Sequence, residues 1–396
     1  MEDERGLLRR IVAEHWDALK PILWRFLPKE VEIAVVSAVE KMLRCGTDAN
    51  GFAQFRCPGC GTIRIVAFKC KSRFCPDCGK VRAAEAAANA QGRLLNVGHR
   101  HLTFSVPSEL RPLLFENRKL LNVVAKAAAK ATIHAIGTRC KSNAPLPGVM
   151  ATVHTFGRDL NFHVHVHVLC TAGGLRGDGV WQPVKIFPAT QYRRLWQYYL
   201  LKDLRKALKG NRSAVWRIGR LHNQYPNGFI VNVMSRYKNG RKAAAYCCRY
   251  TGRPAISQRR IVGYDGKFVT ISYRDYRDNV DKTLTLTAAK FLIRLFAHVW
   301  PRYMRDVHYY GLYQPSRRKK HVEDAVNASK YHDQMRPVPA ASRRERMIKA
   351  LEGLELRCLE CGSYVTLEHI EYAGRCYEKK VKGPPGGQQW QLSLSM

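Results

Sequence analysis

Three histidines alternate with apolar residues in the segment Phe162-His163-Val164-His165-Val166-His167-Val168. A β-strand repeats every two residues, so the imidazoles share one face and the valines fill the other. A second apolar run, 149–156, lies just upstream, separated by Gly157-Arg158-Asp159-Leu160, and this predicts a hairpin. With the turn centred on Asp159 and Leu160, His154 falls opposite His165 on the same face. His154, His165 and His167 could then share one divalent cation through nitrogen. Such a site keeps positions open for substrate oxygens, the style of a catalytic metal. A single histidine there would read as the polar face of a half-buried strand; the registered set carries the metal reading.

Downstream, Tyr246 and Tyr250 stand four residues apart in AAAYCCRYTGRP, neighbours on one helical face, with Gly252 and Pro254 ending the helix. In a chain with 18 tyrosines such a pair is ordinarily core packing, and its meaning comes from its surroundings. A phenol with a pKa of ~10 is a poor nucleophile until cations stabilise its oxyanion. Arg249 and Arg253 flank the pair, and Arg241 and Lys242 open the same segment. These four are candidate contacts for an anionic partner. A metal that polarises a phosphodiester, beside an activated tyrosine, is equipment for forming a phosphotyrosine link and releasing a 3′-hydroxyl.

A different chemistry is written in the cysteines. Cys57-Pro-Gly-Cys60-Gly and Cys75-Pro-Asp-Cys78-Gly are two knuckles, each offering two thiolates on a tight turn. Together they predict one closed four-thiolate site for structural Zn²⁺. Cys45 and Cys70 are left over, able to substitute for a ligand or form a partial site. Cys358 and Cys361, with His369 and Cys376 downstream, could make a second site. Clustered thiols in a chain of 396 residues whose acidic start MEDERG lacks a secretory pattern point to metal binding and a cytosolic, reduced setting. No window approaches the ~18 consecutive apolar residues of a membrane span.

The formal net charge is +36, from 67 Lys and Arg against 31 Asp and Glu. It is uneven: residues 1–46 carry eight acids and eight bases, whereas 179–264 carry 18 bases against the single acid Asp203. A field of that size argues for a polyanionic partner, most commonly nucleic acid. Disorder is disfavoured, because 46% of residues are hydrophobic and 10% aromatic.

Elements to position these groups can be read from periodicity. Residues 6–45 predict two or three short helices, 47–80 a knuckle-and-strand module and 80–96 an Ala-rich helix. A strand follows at 99–107, stopped by Pro107, then helix over 109–140 and the histidine hairpin. The pattern continues with a basic amphipathic helix at 190–209, a strand at 228–234 and a helix at 241–250. Paired strands at 263–273 turn at Asp265-Gly266, and a helix covers 287–299. Residues 314–346 predict a linker, and 379–396 a disordered tail.

The ordered set CPGCG…KCKSRFCPDCG, HLTFSVP, HTFGRDLNFHVHVHVLCTAGG, YCCRYTGRPAIS, FVTISYRDY and YYGLY resembles the two-tyrosine HUH transposases of rolling-circle insertion sequences, the group with an N-terminal zinc-binding region. The likeness covers most of residues 1–320. It implies an α+β fold: an endonuclease palm of antiparallel sheet with flanking helices, preceded by a helical and zinc-knuckle module. The paired histidines of the family motif fall on His165 and His167, and its nucleophiles on Tyr246 and Tyr250. His154, eleven residues before His165, is the third ligand by similarity to three-histidine relaxases. The resemblance also implies Mg²⁺ or Mn²⁺ at the histidines, a 5′-phosphotyrosine intermediate, and single-stranded, hairpin-forming DNA at element ends plus target DNA as partners. Two positions depart from the family pattern: Val164 stands where Pro is common, and Phe74 where His commonly precedes the second knuckle. The implied organisation is a helical segment 1–46, a zinc-binding domain 47–96, a catalytic domain 97–313 and a basic linker with tail 314–396. A replication initiator or relaxase of the same chemistry, and a zinc-dependent nucleic-acid-binding protein without catalysis, are the competing readings.

Overall fold

A computed structural model describes residues 6–138, 143–240, 242, 243, 250, 252, 254–275, 278–315, 357–372 and 375–378. Tyr246, Arg241, Arg249 and Arg253 lie outside the described residues, as do nearly all of the expected linker and the whole tail. The chain forms two compact units, one from 1–43 with 71–343, the other from 44–70 with 344–396.

In chain order the first elements are α1 (Leu7–Leu19), α2 (Lys29–Leu43), β1 (Phe52–Arg56), β2 (Ile63–Ala67), α3 (Pro76–Gln91), β3 (His99–Ser105), α4 (Arg111–Glu116) and α5 (Leu120–Gly137). Then follow β4 (Gly148–Phe156), β5 (Phe162–Thr171), β6 (Gly173–Leu175), β7 (Trp181–Pro183), α6 (Ala189–Ala207), α7 (Arg212–Gln224) and β8 (Val231–Tyr237). The last are β9 (Ile261–Tyr264), β10 (Phe268–Arg274), β11 (Asp281–Thr287), α8 (Ala288–Phe296), β12 (Val307–Gly311), β13 (Thr366–Tyr372) and β14 (Arg375–Glu378).

The larger unit is built on an antiparallel five-stranded sheet of order β12-β4-β5-β3-β8. Its valine face, with Val153, Val164, Val166, Val168, Leu102, Phe104 and Val231, is fully covered by α5 and α6. Burying each such side chain stabilises the fold by roughly 1.5–3 kcal/mol. Alanines 125, 128, 129 and 131 let α5 lie close to the sheet, and Trp196 of α6 fills the space beside Phe104 while its Nε1–H donates to the Ser105 carbonyl at 2.9 Å. Asp203, the lone acid of the basic segment, pairs with Lys130 of α5 at 2.7 Å.

The opposite face carries a second, smaller core at one end, where Ala87 and Ala90 of α3 and the following Leu94 and Leu95 pack on Met150, Leu169 and Tyr313. The histidines occupy that same face further along the strands. A separate antiparallel sheet, β11-β10-β9, turns at Asp265-Gly266 as expected: the Asp265 carboxylate accepts from the Lys267 and Phe268 amides, and Gly266 has φ 93°. Amphipathic α8 seats Phe296 against Trp16 of α1, ring centroids 6.0 Å apart, so the N-terminal helices belong to the larger unit.

The smaller unit is a four-stranded sheet of order β14-β13-β1-β2. Strand β1 pairs antiparallel with β13 from Phe52↔Glu371 to Arg56↔Thr366, and Glu368 accepts from both Arg56 and Gln54. The compact units therefore cut across the segments drawn from sequence: 47–70 pairs with 357–378, whereas α3 joins the histidine sheet. Strand pairing between segments hundreds of residues apart leaves no local periodicity to read. Among the described residues no helix is long and apolar enough to cross a membrane.

Candidate metal centre and nucleophile

The hairpin forms in the register that the turn position dictates. His154 pairs with His165 across β4 and β5, and Thr152 with His167. Leu160, at φ 62°, is the strained residue of the turn, tolerated because its side chain is buried. A register shift between His154 and Phe156 increases the local twist beside the histidine group. The ligand nitrogens of His154, His165 and His167 lie within 4.8 Å of one another. His163 borders the group, its ring 5.3 Å from that of His165, but is not part of it.

Neighbouring groups fix how the imidazoles are presented. The Nδ1–H of His165 donates to the His163 carbonyl at 3.1 Å, which in the neutral ring puts the lone pair on Nε2. Burial, then the proximity of His154, pushes the His165 pKa down to about 3, keeping it in the neutral form that metals bind. His154 Nε2–H donates to the Tyr250 carbonyl at 3.0 Å. His167 Nδ1 lies 3.1 Å from His101 Nε2 and 3.3 Å from Thr103 Oγ1 on β3. Thr152 Oγ1, on the same face, is buried with no hydrogen-bond partner among the described residues. Three imidazoles with oriented rings fit a divalent ion, and an all-nitrogen set accepts softer metals as well as Mg²⁺ or Mn²⁺.

Tyr250 lies over this centre. Its ring centroid is 4.2 Å from that of His167, 5.1 Å from His101 and 6.2 Å from His154. Gly252 follows at φ 67°, the position where the sequence predicts the helix to end, and its α-carbon side faces Ala83 and Ala86 of α3. Lys242 is exposed, and its amide is capped by the Asn239 side chain. Sequence reasoning missed His101 and Thr103. The alternation of His99, His101 and Thr103 in HRHLTFS carries the same period-two signal as β5, but only the β3–β5 pairing reveals that two of them reach His167.

The thiols are distributed between the units. Cys75 is the N-cap residue of α3 and Cys78 sits in its first turn, in the larger unit. In the smaller unit Cys57 and Cys60 lie with Cys358 and Cys361, all four Sγ within 4.8 Å of one another. A single site was expected from Cys57, Cys60, Cys75 and Cys78; β1–β13 pairing sets the first of these knuckles beside Cys358 and Cys361. The Cys70 amide donates to Cys45 Sγ at 3.2 Å. His369 packs edge-on to Phe52, ring centroids 5.8 Å apart, and is absent from the thiol group.

Over 295 residues, 70% of this chain and 69% of the relative, the sequence is 32% identical to the transposase for insertion sequence element IS801 of Pseudomonas savastanoi pv. phaseolicola. The chain belongs to the insertion-sequence transposases. A second relative, named "Putative transposase y4qJ", from Sinorhizobium fredii, is 27% identical over 294 residues, 70% of this chain and 73% of the relative. Family models described as "Putative transposase" and "Transposase zinc-binding domain" match residues 148–321 and 11–106 of this transposase. The first span contains the histidine hairpin and both tyrosines, the second both N-terminal knuckles, and structural zinc accords with the clustered thiols. No solved structure matches the chain. The mixed helix and antiparallel-sheet architecture, with a helical N-terminal region, is the expected α+β class.

Proposed function

We propose that this transposase nicks and joins single-stranded DNA through its tyrosines, in rolling-circle transposition of an insertion sequence. The observation that carries the reading is the Tyr250 ring, tilted by 40° with its centroid 4.2 Å from that of His167, one member of a three-imidazole group that could hold a metal ion. Mg²⁺ or Mn²⁺ on His154, His165 and His167 would supply Lewis-acid polarisation of the scissile phosphodiester. The tyrosine oxygen attacks phosphorus, an O–P bond forms, and the bond to the 3′-oxygen breaks. The phenolic proton passes to solvent and the departing 3′-oxygen takes one up, leaving a 5′-phosphotyrosine. A 3′-hydroxyl that attacks this link reverses the step, joins the strand and restores the phenol. A second tyrosine, Tyr246, allows another nick while the first link persists. Catalysis belongs to segment 97–313. Arg241, Lys242, Arg249 and Arg253 are the proposed phosphate contacts of its +17 neighbourhood.

The test is a metal-titrated cleavage assay on single-stranded oligonucleotides carrying element ends, with hairpin and duplex controls. Tyr246→Phe with Tyr250→Phe is expected to abolish covalent adducts while binding survives. Adducts undiminished in the double variant would overturn the tyrosine assignment, and EDTA-resistant cleavage the metal assignment.

A further inference from the structure

We infer that the first N-terminal knuckle and the C-terminal knuckle hold one zinc ion together: Cys57, Cys60, Cys358 and Cys361 are its four ligands. The zinc-binding match ends at residue 106 and contains neither Cys358 nor Cys361.

The two turns are built alike. Cys57 N–H donates to the Thr62 carbonyl at 2.9 Å and Gly61 N–H to the Cys57 carbonyl at 2.9 Å. In the other, Cys358 N–H donates to the Ser363 carbonyl at 2.7 Å and Gly362 N–H to the Cys358 carbonyl at 2.9 Å. Gly61 and Gly362 both take left-handed backbone, at φ 77° and 71°, so each turn presents its two sulfurs to one side. The Cys75–Cys78 turn is different, running directly into α3 with Gly79 helical. Like turns face one another: Cys57 Sγ lies 3.4 Å from Cys361 Sγ, and Cys60 Sγ 3.5 Å from Cys358 Sγ. A tetrahedral site with Zn–S bonds of about 2.3 Å spaces its sulfurs at roughly 3.8 Å, so the cluster needs only a small expansion to admit the ion. The approach is too close for a larger residue at Gly59, whose Cβ would meet Ser363 Oγ at 2.8 Å and Cys361 Sγ at 3.4 Å.

Such an ion clips together residues 298 apart in sequence, and a chain that stops before Cys358 cannot complete it. One cysteine of each knuckle is buried and the other exposed, so the ion is shielded by protein on one side and open to a chelator on the other.

The test uses full-length, zinc-loaded protein, reading zinc per chain and alkylation of each cysteine by peptide mapping. In the Cys358→Ser/Cys361→Ser variant, zinc is expected to fall by one equivalent and Cys57 and Cys60 to become labelled, with Cys75 and Cys78 labelled as in wild type. Cys57 and Cys60 still protected in that variant, at unchanged zinc content, would overturn the inference. Should the variant unfold and label everywhere, wild-type protein oxidised with diamide as zinc leaves decides. Disulfides linking the 57–60 peptide to the 358–361 peptide support the site, and linkage of 57–60 to 75–78 alone overturns it.

Discussion

His101 Nε2 lies 3.1 Å from His167 Nδ1, joining strands β3 and β5 beside the proposed metal. For His167 to ligate through Nε2, its Nδ1–H must donate to His101, which fixes His101 as the Nδ1–H tautomer. With the proposed ion on His167, His101 is a positioning residue. Its replacement by Ala is expected to weaken metal binding by about 10–100-fold, the usual effect of losing an outer partner of a ligand. Cleavage by His101→Ala should recover at high Mn²⁺, and His101→Gln, which keeps an acceptor, should need less. Cleavage with an unchanged metal titration would remove His101 from the site.

Gly252 sets where Tyr250 sits. A Cβ there would meet Ala83 Cα at 3.1 Å and Ala86 Cβ at 3.3 Å, and the backbone at φ 67° adds about 1–2 kcal/mol of strain for any L side chain. Gly252→Ala is expected to displace the tyrosine from the histidines and slow adduct formation by on the order of 100-fold, with metal affinity unchanged. The split between rate and metal titration is the diagnostic. Loss of both would indicate general unfolding.

The palm was legible because one period ran through it. Alternation in 149–156 and 161–170 places His154 against His165, and the hairpin register follows from the turn alone. Amphipathic helices such as α6 and the Asp265-Gly266 turn were equally local. What sequence could not supply was contact at a distance. Neither the β3–β5 pairing that brings His101 to His167 nor the β1–β13 pairing that brings Cys358 to Cys60 has a local signature. Two CxxC motifs 14 residues apart invited each other as partners, whereas strand pairing sets Cys57 and Cys60 beside the far more distant Cys358 and Cys361.

Acid stability should report His99. Its Nδ1 bonds the Val97 carbonyl and its Nε2 the Tyr313 hydroxyl at 2.6 Å, and burial pushes its pKa from 6.5 down to about 4. The unfolded chain binds the proton more tightly, so this neutral histidine contributes stability fully above about pH 6.5. The contribution, about 3 kcal/mol at most, is lost as pH falls from there through 4. His99→Gln should be less stable at pH 7.5 and show a shallower decline between pH 6.5 and 4 in urea midpoints. Parallel pH curves for variant and wild type would rule out this histidine as a source of the acid sensitivity.

His163 separates a metal site from a merely histidine-rich strand. It shares the face of His165 and His167, yet it lies outside the nitrogen cluster, and its own pKa is lowered by burial and by Arg111. His163→Ala removes a ring but leaves the carbonyl that orients His165, since that acceptor is backbone. Cleavage by this variant is expected within about threefold of wild type. His154→Ala, His165→Ala and His167→Ala should each lose more than the roughly 100-fold that an outer partner can account for. Equal losses at His163 and His165 would mean that the strand face, and not three defined nitrogens, supports the activity.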